Sequence, residues 1–199
     1  MFELETFVAD CRAALRESRP EAAVKELVER TVADPGAVER ALGTPSWGGF
    51  TALHRSPELT ILNLVWAPGM AVYPHDHRMW AVIGLYGGRE DNTFYRRSAE
   101  GLVVAGGKSL ETRDVTLLGQ SVVHAVANPL HVFTGAIHVY GGDFFATPRS
   151  EWTPDTLEER PYDVERTRRT FAEANERWRA TCLAAEEAVS GPGTGRRSG

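Results

Sequence analysis

The sequence predicts a mainly β fold, a sandwich or barrel, with helices at both ends of the chain. From about Thr44 to residue 150, glycine and β-branched residues become frequent. Seven or more short apolar runs there are separated by turn signals, a spacing that suits stacked or closed antiparallel strands better than a parallel α/β sheet. On either side of that region, apolar residues recur instead at helical spacing.

Leu4, Phe7, Val8, Cys11 and Leu15 predict a first helix over 2–17. Pro20 suits the first turn of a second helix, whose apolar stripe is Val24, Leu27, Val28 and Val32. Asp34-Pro35 reads as N-cap and first helical residue, and Gly43 as the stop of a short third helix. Residues 1–43 are thus expected to form a helical cover. The barrel is expected over 44–150, with strands at Thr60 to Trp66, Trp80 to Tyr86, Asn92 to Arg97, Leu102 to Val104, Asp114 to Leu118, Ser121 to Val126 and Gly135 to Tyr140. Beyond it, 151–190 reads as a helical extension, with a long helix from roughly Asp163 to Val189 after Pro161. The glycine-rich tail, 191–199, is expected to be disordered. The whole reads as one structural domain without internal repeats.

With 199 residues, 42% hydrophobic and 25% charged, the chain has ordinary globular composition and enough length for a sizeable core. A net charge of −5 and the lack of a long basic run argue against nucleic-acid or anionic-membrane partners. No run of ~18 apolar residues predicts a membrane helix, and the start Met1-Phe2-Glu3-Leu4-Glu5 is acidic where a signal peptide is basic. Cys11 and Cys182 read as reduced, half-buried thiols rather than a disulfide framework. The expectation is a cytoplasmic protein, a monomer or, through its free sheet edges, a homodimer.

The chemistry concentrates in Tyr73-Pro74-His75-Asp76-His77, just ahead of the apolar run Trp80 to Tyr86. On a strand, alternate side chains share a face, so His75 and His77 stand about 6–7 Å apart and can reach one metal ion, while Asp76 points away as a structural residue. A third ligand is available in His124, within Gly119 to Asn128. His138 and Tyr140 then share a face two residues apart. These residues predict a mononuclear metal site inside the barrel. His54 and His131 are expected at the surface or in turns; Arg78, Arg96 and Arg97 are expected to face solvent, and Trp66 and Trp80 to sit in the wall or core.

The His75-x-His77 pair, followed by His124 in a Gly-x4-His-x3-Asn stretch, resembles the two motifs of the cupin superfamily, an antiparallel jelly-roll barrel holding a metal at its open end. The glutamate that usually follows the second histidine by four or five residues is replaced by Ala81 and Val82, the nearest downstream acid being Glu90. Ser121 stands where a proline usually precedes the third histidine. A three-imidazole face resembles the thiol dioxygenases within that superfamily, the cysteine and 3-mercaptopropionate types, and especially their predicted metal-dependent bacterial branch. The resemblance covers about half the chain, Thr60 to Trp152, and includes Ile137-His138-Val139-Tyr140.

That resemblance implies Fe(II) on His75, His77 and His124, O2 as co-substrate, and Tyr140 and His138 as catalytic residues, with His138 donating a hydrogen bond to the Tyr140 hydroxyl. Nine residues after Tyr140, Arg149 takes the place of the carboxylate-binding arginine of the 3-mercaptopropionate enzymes; the arginine of the cysteine type has no counterpart near Gly49 to Thr51. Ala136 replaces the family's serine, and no cysteine lies near enough to crosslink the tyrosine. The function implied is oxidation of a small anionic thiol to its sulfinate. Alternatives are a metalloenzyme acting on a non-thiol substrate, and a non-catalytic cupin that binds a small molecule.

Overall fold

A computed structural model describes residues 2–99 and 101–190; the tail expected to be disordered lies outside the described residues. Three helices come first: α1 (Leu4–Ala14), α2 (Pro20–Val32) and α3 (Pro35–Leu42). Strands follow as β1 (Gly49–Arg55), β2 (Thr60–Trp66), β3 (Ala71–Asp76), β4 (Ala81–Gly87), β5 (Arg89–Ser98) and β6 (Gly101–Glu111). Then come β7 (Val115–Leu118), β8 (Val123–Ala127), β9 (Thr134–Tyr140), β10 (Ser150–Trp152) and β11 (Glu159–Pro161), before α4 (Val164–Ser190).

The strands form two antiparallel sheets, ordered β1-β2-β9-β4-β7 and β11-β10-β3-β8-β5-β6. Within them, β2-β9-β4-β7 and β3-β8-β5-β6 alternate between the sheets as the eight strands of a jelly roll do. The sheets are two separate hydrogen-bonded units rather than a closed barrel. Between them lies a core of Leu62, Leu64, Trp66, Val72, Val126, Ala136 and Tyr140.

Period-two alternation explains why β9 is buried along its whole length. Ala136 and Tyr140 face the core between the sheets, whereas Ile137 and Val139 face the other way, onto Val24, Val28 and Val32 of α2. Each buried valine there contributes about 1.5–3 kcal/mol. α2 lies so close that a Cβ on Gly84 would meet Val28 Cγ1 at 2.3 Å, so only glycine fits that point of β4. The helix boundaries follow their sequence marks: Pro20 and Pro35 open α2 and α3, Asp34 caps Ala37 N at 3.1 Å, and Gly43 ends α3 at φ 90°.

α4 closes over one end of the sandwich. Phe171 stacks on Trp66 with ring centres 5.4 Å apart, and Trp178 meets Phe133 edge-on. Asn175 accepts from Gly48 N at 2.7 Å and donates to Gly48 O at 2.8 Å, tying the helix to the lead-in of β1.

Several details differ from the sequence expectations. β1 is a strand, which moves His54 out of a turn; its Nε2 is buried and has no hydrogen-bond partner. The segment 151–190 contributes β11 and most of β10 to the second sheet before α4 begins. Cys11 is fully buried in α1, with its thiol pushed up to about 12 by desolvation and then by Asp10, whereas Cys182 is half-buried.

Candidate metal centre

Three imidazoles converge inside the jelly roll. β3 and β8 pair antiparallel, and a register shift between Val72 and His75 sets His75 directly opposite His124. Cross-strand partners project from one face, and the two rings lie 4.7 Å apart. His77 sits just past the end of β3, before Arg78 takes a left-handed turn at φ 57°. Its Nε2 lies 3.2 Å from His75 Nε2 and 3.4 Å from His124 Nε2. One ligand atom from each of the three falls within 4.8 Å of the others, and all three side chains are buried.

The hydrogen bonds around the rings orient them. His75 Nδ1 lies 3.0 Å from the carbonyl of Tyr73, an acceptor, so it carries the proton and leaves Nε2 bare. His124 Nδ1 lies 2.7 Å from Asn92 Oδ1 and is oriented in the same way. Burial lowers the pKa of His75 to about 4, and holds His77 and His124 well below the ordinary histidine range, with mutual repulsion between the rings adding to it. At neutral pH the centre is therefore three uncharged imidazoles.

Those donors fit a metal ion. Metal–imidazole bonds of about 2.0–2.1 Å separate two nitrogens by about 3.0–3.4 Å at angles between a right angle and tetrahedral, the range observed here for two of the pairs. His75 and His124 present bare Nε2 lone pairs toward His77 Nε2. A His-His-His group such as this could hold a metal.

Asp76 points away, as the alternation requires. It is fully buried, accepts from Arg78 Nε and Arg97 Nη2 at 2.7 Å each, and caps Ser150 N at 2.9 Å. Arg78 and Arg97 thus reach solvent while tethering the far side of the ligand strand. His131 is exposed in a bend, and Arg96 is exposed on β5.

His138 and Tyr140 project inward from β9, with His138 Nδ1 3.0 Å from the Tyr140 hydroxyl. The Tyr140 ring is 5.1 Å from that of His77. Burial raises the tyrosine pKa well above its usual value, so the group stays a hydroxyl.

Arg149 is buried against Phe144 and Tyr162, two of the rings that wall the cavity beside the triad. Its guanidinium carbon lies 4.0 Å from the Phe144 ring centre and 3.9 Å from that of Tyr162, and Nη1 donates to the Phe144 carbonyl. Nε and Nη2 are buried with no hydrogen-bond partner. The loop carrying it is pinned by Thr60, whose hydroxyl donates to Gly142 O at 2.8 Å and accepts from Phe144 N at 3.0 Å. Beside the triad is a cavity of about 30 Å³, walled by apolar groups such as Leu62, Val126 and Phe171, with His75, His124 and Tyr140 supplying polar edges.

The sequence marks Glu90 only as the nearest acid downstream of the second histidine and gives Asn92 no role. Glu90 is fully buried on β5, accepting from Trp66 Nε1 at 2.8 Å and Asn92 Nδ2 at 3.0 Å, with His138 Nε2 3.6 Å away. The pattern Glu90-x-Asn92-x-Phe94 could have found them, since those residues alternate on a strand and Phe94 pairs with His124. Phe144 and Tyr162, the aromatic clamp on Arg149, carry no motif.

No protein-family model matches the chain. Structural neighbours are cupin superfamily proteins. One from Desulfitobacterium hafniense is 17% identical at a TM-score of 0.43, covering 52% of this chain and 87% of its own. A double-stranded β-helix cupin from Methanocaldococcus jannaschii is 10% identical at a TM-score of 0.42, over 51% of this chain and 85% of its own. A recombinant oxalate oxidase in complex with glycolate is 13% identical at 0.40, over 50% and 53%. At these scores the fold assignment rests on the strand order itself. Among the described residues, no helix is long and apolar enough to cross a membrane.

Proposed function

We propose that this protein is a non-heme iron dioxygenase that oxidises a small anionic thiol to its sulfinate. The observation that carries this reading is the pairing of an uncharged three-histidine face with the buried guanidinium of Arg149, whose Nε and Nη2 lack partners. A buried, unsatisfied guanidinium is costly, and a carboxylate or sulfonate relieves that cost with charge-assisted hydrogen bonds.

His75, His77 and His124 would hold the iron through Nε2. A dipositive iron with three open positions supplies sites for a thiolate and for O2. The net reaction moves both oxygen atoms onto sulfur, the sulfur giving up the electrons that O2 takes. Arg149 fixes the anionic end of the substrate, and the Phe144 and Tyr162 rings hold the guanidinium in one orientation. Tyr140 provides a neutral hydroxyl for a hydrogen bond to the substrate, with His138 anchoring it. The apolar walls suit a short carbon chain and exclude bulk water.

The test is O2 consumption by protein loaded anaerobically with Fe2+, against thiols bearing a carboxylate, a sulfonate or only an amine, with His124→Ala as the blank. Uptake with the anionic thiols that vanishes in the blank supports the reading. Uptake with the amine-only thiol as well would keep the chemistry and remove the role of Arg149. No uptake with any thiol by iron-loaded protein would overturn the reading in favour of a non-thiol substrate or a binding protein.

A further inference from the structure

Glu90 is a fully buried carboxylate on β5 whose side chain reaches toward His138 and, through Asn92, His124. It heads a hydrogen-bonded chain on one side and places its charge near His138 on the other. On one side Asn92 Nδ2 meets Glu90 Oε1 at 3.0 Å, and Asn92 Oδ1 meets His124 Nδ1 at 2.7 Å. On the other, Glu90 Oε2 accepts the Trp66 indole N–H at 2.8 Å and lies 3.6 Å from His138 Nε2, whose Nδ1 is 3.0 Å from the Tyr140 hydroxyl.

A carboxylate only accepts, and an indole N–H only donates, so the direction of the Asn92 link follows from Glu90, whereas His138 Nε2, 3.6 Å away and without a hydrogen-bond partner, feels only the carboxylate's charge. Asn92 must turn its NH2 to Glu90 and its carbonyl to His124. That carbonyl requires a proton on His124 Nδ1 and leaves Nε2 bare toward His77. On the other arm, the carboxylate favours a proton on His138 Nε2. With that proton on Nε2, Nδ1 accepts from Tyr140, so the tyrosine proton points to His138 and its oxygen lone pairs face the cavity. This donor order is the reverse of the one implied by the family resemblance.

We infer that Glu90 is a positioning residue that sets both proton placements at once, holding His124 in its metal-ready tautomer through Asn92 and making Tyr140 a hydrogen-bond acceptor toward the substrate through His138. The consequence for iron rests on the ligand role proposed for His124; the proton order does not. A glutamine at this position can satisfy only one arm. If its amide NH2 faces Asn92, Asn92 flips and His124 Nδ1 loses its proton to Nε2. Facing the other way would set its NH2 against the Trp66 indole N–H, donor to donor, so the first orientation holds.

The experiment is nitrogen-15 NMR of histidine side chains in the metal-free protein, wild type, Glu90→Gln and Asn92→Ala, alongside anaerobic Fe2+ titration of each. In the wild type His124 is expected as the Nδ1–H tautomer and His138 as Nε2–H. Glu90→Gln is expected to switch His124, and Asn92→Ala to release His124 while leaving His138 unchanged. Loss of the His124 order is expected to weaken Fe2+ binding by about 10–100-fold. A wild type with either histidine in the other tautomer overturns the inference, whether or not the variants fold. So does a folded Glu90→Gln with both tautomers intact. Wild-type tautomers as expected without any Fe2+ binding would sustain the proton order and remove the iron site instead.

Discussion

The guanidinium carbon of Arg149 lies 3.9 Å from the ring centre of Tyr162, buried, with two of its nitrogens lacking any partner. Lysine at this position would keep the charge and lose both the planar stack and the paired N–H fork. Arg149→Lys is expected to lower kcat/KM for an anionic thiol by about 10–100-fold, the worth of one charge-assisted hydrogen bond. The loss is expected mainly in KM, with uncharged thiols little affected. Steady-state O2 uptake across both substrate classes checks this, and an equal loss for both would contradict it.

Acid is expected to destabilise the metal-free protein. Burial lowers His75 to about 4 and holds His77 and His124 well below the ordinary range, whereas in the unfolded chain each titrates near about 6.5. Between those values the unfolded chain binds more protons. The stabilisation is complete above about pH 6.5 and is lost as the pH falls toward about 4. His75 alone accounts for roughly 3 kcal/mol. Melting temperatures measured from about pH 7 to about pH 5 should fall, and fall less steeply in His75→Gln. A flat profile would contradict the buried, uncharged triad.

Asp76, between two candidate ligands, is expected to matter for stability. Asp76→Ala removes contacts to Arg78, Arg97 and Ser150 N, costing about 2–3 kcal/mol. The cost stays below that of a fully buried pair because both arginine side chains reach solvent, at 46% and 40% exposure. Urea unfolding should show a lower midpoint with an unchanged slope. An unchanged midpoint would show that the tether does not hold β3.

Much of the fold was legible because its strands carry strong marks. β2 and β9 are mostly apolar, since each is buried on both faces, and the prolines and glycine that bound α2 and α3 stand where the helices start and stop. β1 was not legible: it is an edge strand with an irregular alternation and a bulge between Ala52 and His54. The histidines follow from two-residue spacing, but the convergence of His75 and His124 depends on a register shift that no local pattern encodes. Glu90, visible only as the nearest downstream acid, had no legible role because it reaches the site from β5, away from the motif position. The sandwiching of Arg149 by Phe144 and Tyr162 is a long-range fact of packing.

The paired bonds between Asn175 and Gly48 anchor the helix that walls the cavity. Asn175→Ala is expected to cost about 1–3 kcal/mol and to speed amide hydrogen exchange around Thr167 and Phe171, while α1 to α3 keep their protection. Unchanged exchange in α4 would show that aromatic packing alone holds it.

The most direct measurement is the mass of the product formed from an anionic thiol under isotopically heavy O2 by the iron-loaded protein. A sulfinate carrying two heavy oxygen atoms, absent with His124→Ala, is the predicted result. A product that takes its oxygen from water, or a disulfide with no oxygen added, would contradict a thiol dioxygenase built on His75, His77 and His124.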